Sequence, residues 1–252
     1  LCLIPFIERI FMAAYQERWY RNFPQTLSFR CEVTFQETDL LISSDLPLSQ
    51  EKVKDLIEKY YNQISDYCLK YPEFSRSLSP LSEDPAAPLI VQDMLQASRQ
   101  SNIGPFSAVA GAMAQYVGSD LLSSSSQLMV ENGGDLFLAL SKETVLGLYL
   151  GPDFFPDILK VRIKAQPKPF GICSSSGKIG HSISLGRADL VTVKADSAIL
   201  ADTFATALAN KLKTKQDIKK IIDQARTFPF IQGLICACDG SLGIWGDFQI
   251  AE

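Results

Sequence analysis

Apolar and polar residues alternate strictly over residues 27–36. Leu27, Phe29, Cys31, Val33 and Phe35 share one face and Ser28, Arg30, Glu32, Thr34 and Gln36 the other, which predicts a strand with one wet side. The run Thr38-Asp-Leu-Leu-Ile-Ser follows at once and is placed to pair back on it. The period then changes. After Ser49, a good N-cap, Val53, Leu56, Ile57, Tyr60, Ile64, Tyr67 and Cys68 recur at helical spacing with charges opposite, so this helix must lay its stripe on a neighbour, most simply the hairpin. Pro72, Pro80, Pro85 and Pro88, with several serines, break regular structure and predict an internal linker over 71–88.

A short helix is expected over 89–99 and a second from Gly104-Pro105 to about residue 122, with Pro105 suited to a first turn. The second carries no charge from Pro105 to Ser119 and is rich in Ala and Gly, so it must be buried on most sides; it is too short to span a bilayer. Strands follow over 128–131, 136–140, 145–150, 161–165, 170–173 and 190–193. Asp196 then reads as the N-cap of another small-residue helix. An amphipathic helix from Thr214 turns Ile218, Ile221 and Ile222 inward, and a hairpin with Asp239-Gly240 at its turn closes the chain. Helices come in pairs between groups of strands, not one after every strand. That pattern favours an α+β fold with antiparallel sheets.

The 252 residues, 46% hydrophobic and 21% charged, suffice for one large or two small domains with a proper core. A net charge of −4 removes the broad electrostatic reason to expect nucleic-acid binding, and Lys211, Lys213, Lys215, Lys219 and Lys220 read as a solvated patch near a helix C-terminus. Six cysteines scattered through a chain of this size read as reduced thiols of a cytoplasmic protein. With one histidine, His181, and no Cys-x-x-Cys, a zinc finger or two-His metal site is excluded. Cys236 and Cys238 alternate across a strand and should share its core face. The apolar start, residues 1–11, is interrupted by Glu8 and Arg9 and gives no membrane span.

Three places offer chemistry. Asp202, Thr206 and Asn210 recur every fourth position on a helix otherwise small and apolar. This stripe is either a buried site for a hard cation or ligand, or a set of bonds to neighbouring helical turns. Glu131-Asn-Gly-Gly-Asp135 lets a ligand approach the backbone closely, with amides free for phosphate, or is simply a hairpin turn. The loop Gly171-Ile-Cys-Ser-Ser-Ser-Gly-Lys-Ile-Gly-His-Ser182 joins hydroxyls to the sole histidine, the one side chain suited unperturbed to proton transfer near neutrality; serine-glycine loops are common, and a lone histidine often just satisfies a backbone carbonyl. No Gly-x-Gly-x-x-Gly or phosphate-loop Gly-Lys-Ser/Thr motif occurs, so dinucleotide binding of the doubly wound kind has no support.

The order of these pieces, with Val191-Thr-Val and Ala201-Asp202-x-x-x-Thr206 after them, resembles the ApbE superfamily of flavin transferases. Thr38-Asp-Leu-Leu-Ile, Tyr71-Pro-Glu-Phe and Glu131-Asn-Gly-Gly-Asp-Leu are similar to an uncharacterised ApbE-related branch of bacteria and archaea. The resemblance implies a T-fold-related α+β unit of two similar halves over 15–252, after an N-terminal extension 1–14. ApbE enzymes use magnesium (Mg2+) and FAD to attach FMN to a Ser or Thr of a protein acceptor, releasing AMP. By resemblance, Asp202 and Thr206 with the backbone carbonyl of Ala110 would be metal ligands. Asn132, Gly133, Gly134, Asp135, Ser175, Ser176 and Gly177 would lie by the flavin and phosphates, and His181 would be the candidate base.

Two departures stand out. Ala110-Gly111 replaces the usual Ala-Lys-Gly, with Gln115 near the place of an acid that contacts the nucleotide, and His181-Ser-Ile-Ser-Leu replaces His-x-x-Asp-Pro. The resemblance thus implies a magnesium-dependent transferase acting on FAD or another nucleotide. The alternative is a non-catalytic nucleotide- or partner-binding protein accessory to anaerobic sulfur metabolism. A homo-oligomer is compatible with either.

Overall fold

A computed structural model describes residues 21, 27–151, 154, 156–177 and 187–251. The chain runs β1 (Phe29–Phe35), β2 (Thr38–Ser44), α1 (Gln50–Lys70), the single turn α2 (Glu73–Arg76), α3 (Leu89–Ser101), and a 3-10 turn (Pro105–Ala108) leading into α4 (Val109–Leu121). Strands β3 (Leu128–Asn132), β4 (Asp135–Ala139), β5 (Thr144–Tyr149), β6 (Ile158–Ile163), β7 (Phe170–Ser175) and β8 (Leu190–Ala195) follow. Helix α5 (Ala198–Ala209), a 3-10 turn (Lys215–Asp217) into α6 (Ile218–Ala225), β9 (Ile231–Cys238), β10 (Ser241–Gly246) and β11 (Gln249–Ile250) complete it. The expected extension 1–14 lies outside the described residues.

Eight strands form one sheet in the order β1-β2-β3-β4-β7-β8-β9-β10, and β11-β6-β5 form a second. Every pairing is antiparallel. The large sheet consists of two four-strand halves in tandem, each a hairpin, a helical segment and a second hairpin; β5 and β6 are inserted between the halves. The seam is the β4–β7 pairing, where Leu136 faces Ile172 and Phe137 faces Gly171. This is the α+β, antiparallel, two-halved architecture expected from the sequence.

The large sheet is covered on both faces. Leu40, Ile42, Val130, Phe137, Val191, Val193 and Leu234 pack under the helices, with Cys236 and Cys238 together on that face as their spacing required. Met129, Leu138, Phe170, Ile172, Ile235 and Ala237 pack on the other side against Leu146, Val161 and Ile163 of the small sheet. Double burial explains why β3 and β8 read as near-continuous apolar runs, whereas edge strand β1 alternates. Alternation gives no warning of Lys194, which is fully buried with its ammonium 2.9 Å from Asp247 Oδ2.

Two local expectations are corrected. The proline-rich 71–88 stretch is no linker, because Phe74 is fully buried and its ring meets Tyr67 at 5.1 Å and Phe106 at 6.2 Å, which ties the segment into the helix layer. The N-cap of α5 is Ser197, whose Oγ accepts from the Leu200 amide, while Asp196 Oδ1 instead accepts from Gln232.

Helices α4 and α5 cross above the seam, and Ala198 is pressed between α4 and β7. A Cβ on Gly171 would stand 2.3 Å from the Ala198 Cα, and one on Gly111 would stand 2.4 Å from its carbonyl oxygen. Backbone cannot yield as a flexible side chain does. Gly171→Ala is therefore expected to destabilise the fold by about 1–3 kcal/mol through overpacking. Urea denaturation with an unchanged m-value measures it, and unaltered stability would mean that α5 lies farther from β7.

Candidate functional site

The close contact at Gly111 brings the two halves' polar groups together. Asp202 Oδ2 accepts from the Gly111 amide at 2.8 Å, joining α5 of the second half to the first turn of α4 in the first. One residue earlier, the Ala110 carbonyl accepts from Asn132 Nδ2 at 3.2 Å. Across the β3–β4 turn, Asp135 Oδ1 accepts from the Ser174 amide of β7 at 3.2 Å. Thr206 lies one helical turn beyond Asp202 and is also buried. Asn210 is the helix C-cap and is half-buried, so the stripe emerges from the core at its end.

The site is electrostatically tense. Burial pushes the Asp202 carboxyl up to about 7, against the Gly111 amide that favours its charged form. Burial also raises Asp135 well above the usual carboxylate range, and the neighbouring Asp202 raises it further. Cys173 accompanies them: its thiol is raised by burial and by the Asp135 and Asp202 charges, and its Sγ lies 3.4 Å from the Ala198 carbonyl. Two carboxyls that resist ionisation together present oxygen donors whose charge a cation would release.

The Asn132–Asp135 turn closes through positive φ at both glycines, 66° at Gly133 and 100° at Gly134, where glycine alone is unstrained. The Gly134 amide is not free for a phosphate, since it donates to Glu131 Oε1 at 2.8 Å. What the turn offers a ligand is room, because an added Cβ at Gly134 would meet nothing within 4 Å. On β7, Ser175 is 3% exposed and its hydroxyl has no hydrogen-bond partner, an orphaned donor in the strand beside Asp135. Ser176 is buried, and Gly177 is exposed with its amide bonded to the Ala188 carbonyl.

The structure thus gathers Ala110, Asn132, Asp135 and Asp202 at the seam, with Gly133, Gly134, Ser175 and Thr206 on the same elements. Gln115 is engaged elsewhere, since its Oε1 accepts from the Ile199 amide at 3.3 Å, one turn deeper along α4. It lines a separate cleft of about 190 Å3 with Asp93, Gln96, Gln100 and Ser197. His181 lies outside the described residues. Sequence reasoning missed Cys173, hidden in a strand that reads as core. It also missed Arg21, whose Nε donates to Glu131 Oε2 at 2.6 Å; no local pattern announces a partner 110 positions away.

The donor set suits magnesium. Zinc and softer ions favour sulfur and nitrogen ligands, and among the described residues no group of three or more His, Cys, Asp or Glu side chains is arranged to hold a metal. Magnesium instead takes one or two carboxylates, neutral oxygens, waters and substrate phosphate. Asp202, Asp135, the Thr206 hydroxyl and the Ala110 carbonyl are all hard oxygen donors, and the orphaned Ser175 hydroxyl is consistent with a polar ligand beside them.

Comparison with known proteins agrees with this architecture. A family model described as AbpE bacteria matches residues 21–227, and the chain belongs to that family. The UPF0280 protein of Methanocaldococcus jannaschii is 32% identical over 223 residues, 86% of this chain and 91% of the relative. The UPF0280 protein of Methanococcus maripaludis is 34% identical over 211 residues, 82% of this chain and 85% of the relative. Among solved structures, the flavin transferase ApbE from Vibrio cholerae is similar with a TM-score of 0.57 at 13% identity, over 89% of this chain and 97% of that one. The apo flavinyl transferase ApbE of Pseudomonas stutzeri gives a TM-score of 0.59 at 12% identity, over 92% and 96%. At such identities the likeness establishes the fold. Among the described residues no helix is long and apolar enough to cross a membrane.

The raised carboxyl couples stability to pH. Between 3.8, the ordinary Asp value, and about 7, the folded metal-free protein retains a proton that the unfolded chain has released. Stability therefore falls as pH rises through that window. Asp202→Asn keeps an acceptor for the Gly111 amide and should flatten the slope. Thermal unfolding in EDTA from pH 4.5 to 8 tests this, and identical profiles for the two proteins would contradict the burial of an ionisable Asp202.

Proposed function

We propose that the protein is an ApbE-like, magnesium-dependent transferase acting on FAD or a related nucleotide, with a protein hydroxyl as acceptor. The observation that carries this reading is the buried Asp135–Asp202 pair, assembled at the seam from both halves beside an open glycine turn. That is the arrangement of hard donors which a metal-bound pyrophosphate needs. The ApbE resemblance supplies the chemical class, and the fold match supports it.

Asp202 and Thr206 on α5, the Ala110 carbonyl and Asp135 would hold the cation, which when bound neutralises charge on the pyrophosphate. Asn132 fixes the Ala110 carbonyl by donating to it, and the Gly111 amide fixes Asp202. The turn at Gly133 and Gly134 admits the phosphates close to the backbone, and the Ser175 hydroxyl would donate to one of them. His181 would take the proton from the acceptor hydroxyl as its oxygen bonds to the FMN phosphorus, and the P–O bond to AMP breaks.

Gln115 favours a second reading. Its oxygen is engaged by the Ile199 amide, so the chain has fewer groups with which to select a nucleotide, and a non-catalytic nucleotide-binding protein would look the same at the seam.

One assay separates the readings. Purified protein, FAD, magnesium and an acceptor peptide are incubated, and covalent flavin on the peptide is followed by fluorescence and mass. The transferase reading expects transfer that requires magnesium, is lost with the metal and nucleotide synergy in Asp202→Ala, and falls at least about 100-fold in His181→Ala while FAD still binds. FAD bound with magnesium but never cleaved would establish the binding protein. Equal magnesium and FAD affinities in wild type and Asp202→Ala would refute the metal site.

A further inference from the structure

Behind the glycine turn, on the face of the sheet opposite the helices, lies a buried ionic chain that the transferase reading does not use. Val130 of β3 faces the helices and Met129 the small sheet, so Glu131 points away from the carboxyl pair while Asn132 points toward it. Glu131 is 5% exposed. Its Oε1 accepts from the Gly134 amide at 2.8 Å and its Oε2 from Arg21 Nε at 2.6 Å. The same guanidinium donates through Nη1 to Asp39 Oδ1 at 3.0 Å and through Nη2 to the Asp39 carbonyl at 2.9 Å. Arg21 is itself 6% exposed and thus pins β2, β3 and the turn together from a position ahead of β1.

We infer that Arg21 is a positioning residue for the nucleotide site: it locks Glu131 onto the Gly134 amide and so fixes the turn that aims Asn132 and Asp135 at the seam. Four charge-assisted hydrogen bonds in a buried setting make this a stiff support. Only glycine is relaxed at the turn's positive φ values, and the same glycines leave the turn floppy unless something outside it holds it. Arg21 touches neither the carboxyl pair nor the open space in front of the turn; its effect passes through Glu131. The charge matters as well. An unneutralised Glu131 would add a negative charge behind a site that already carries two carboxyls and would receive an anionic ligand. Lysine offers a point charge without the planar fork that serves Glu131 and Asp39 together.

The nucleotide part of this inference rests on the transferase reading, so the experiment has two arms. Hydrogen exchange of the Gly134 amide and the affinity for FAD with magnesium are measured in the full chain for wild type, Arg21→Met, Arg21→Lys and the double variant Arg21→Met/Glu131→Gln. Val161→Ala in β6 serves as a control for general loss of stability. The double variant removes the buried Glu131 charge that Arg21→Met would strand, leaving only the less buried Asp39 carboxylate without its guanidinium, so it is the milder of the two if Arg21→Met alone fails to fold.

The expected result is Gly134 exchange accelerated roughly tenfold or more without Arg21, as for loss of a hydrogen bond to a charged group. FAD affinity should weaken about 10- to 100-fold, as when a ligand's supporting partner is removed. Arg21→Lys should fall between, and Val161→Ala should change neither beyond its global effect. Exchange no faster than in the Val161→Ala control would overturn the clamp. Faster exchange with undiminished FAD affinity would overturn its role at the site. If the wild type binds no FAD, FAD as the nucleotide of the transferase reading fails by that arm alone, and the exchange arm still upholds or overturns the clamp.

Discussion

Everything at the seam depends on how closely α4, α5 and β7 approach one another at Ala198. Two glycines, Gly111 and Gly171, remove the side chains that would keep the backbones apart. The approach lets the Gly111 amide reach Asp202, and with it one half of the molecule gains a hydrogen bond to the only acid on the other half's central helix. Had either glycine carried a side chain, α5 would lift from the sheet. The carboxylate would then lose its donor and its distance to Asp135 together.

The same closeness sets the electrostatic character of the site. Two acids are placed where water is scarce, and both resist ionisation. In a purely structural role such a pair costs stability at neutral pH, and apolar residues of similar size would serve the core better. Perturbed carboxyls of this kind concentrate at functional positions, and the proposed function rests on that reading of the pair. The Arg21–Glu131 chain behind the turn fits that picture, since a rigid support is worth building only where geometry matters.

Fold and function carry different weights here. The architecture is shared with flavin transferases at 12–13% identity, where backbone topology survives and side-chain chemistry drifts. By the motif resemblance, Asp202, Thr206 and the glycine turn would form the metal side of the proposed site. Gln115, by contrast, is drawn into capping α5. In the proposed function, this departure would bear on nucleotide selection and leave the metal side as it is.

Strand alternation in β1, the helical stripe of α1, the run of α4 without charge up to Ser119 and the pairing of helices between strand groups were all legible in the sequence, because burial of one face against water imposes its period on neighbouring residues. So was the Asp202–Thr206 stripe, since its spacing is local. The sequence could not say that Pro72 to Pro88 would be pinned by Phe74, that Ser197 would cap α5 in place of Asp196, or that Lys194 would be buried with Asp247 as partner. It could not bring Asp135 beside Asp202, nor Arg21 to Glu131. Those contacts join residues tens of positions or more apart across strands and helices, and no periodicity along the chain records them. Local patterning chose the elements; the packing of Ala198 between two glycines, and the cost of leaving buried charges unpartnered, decided where the chemistry stands.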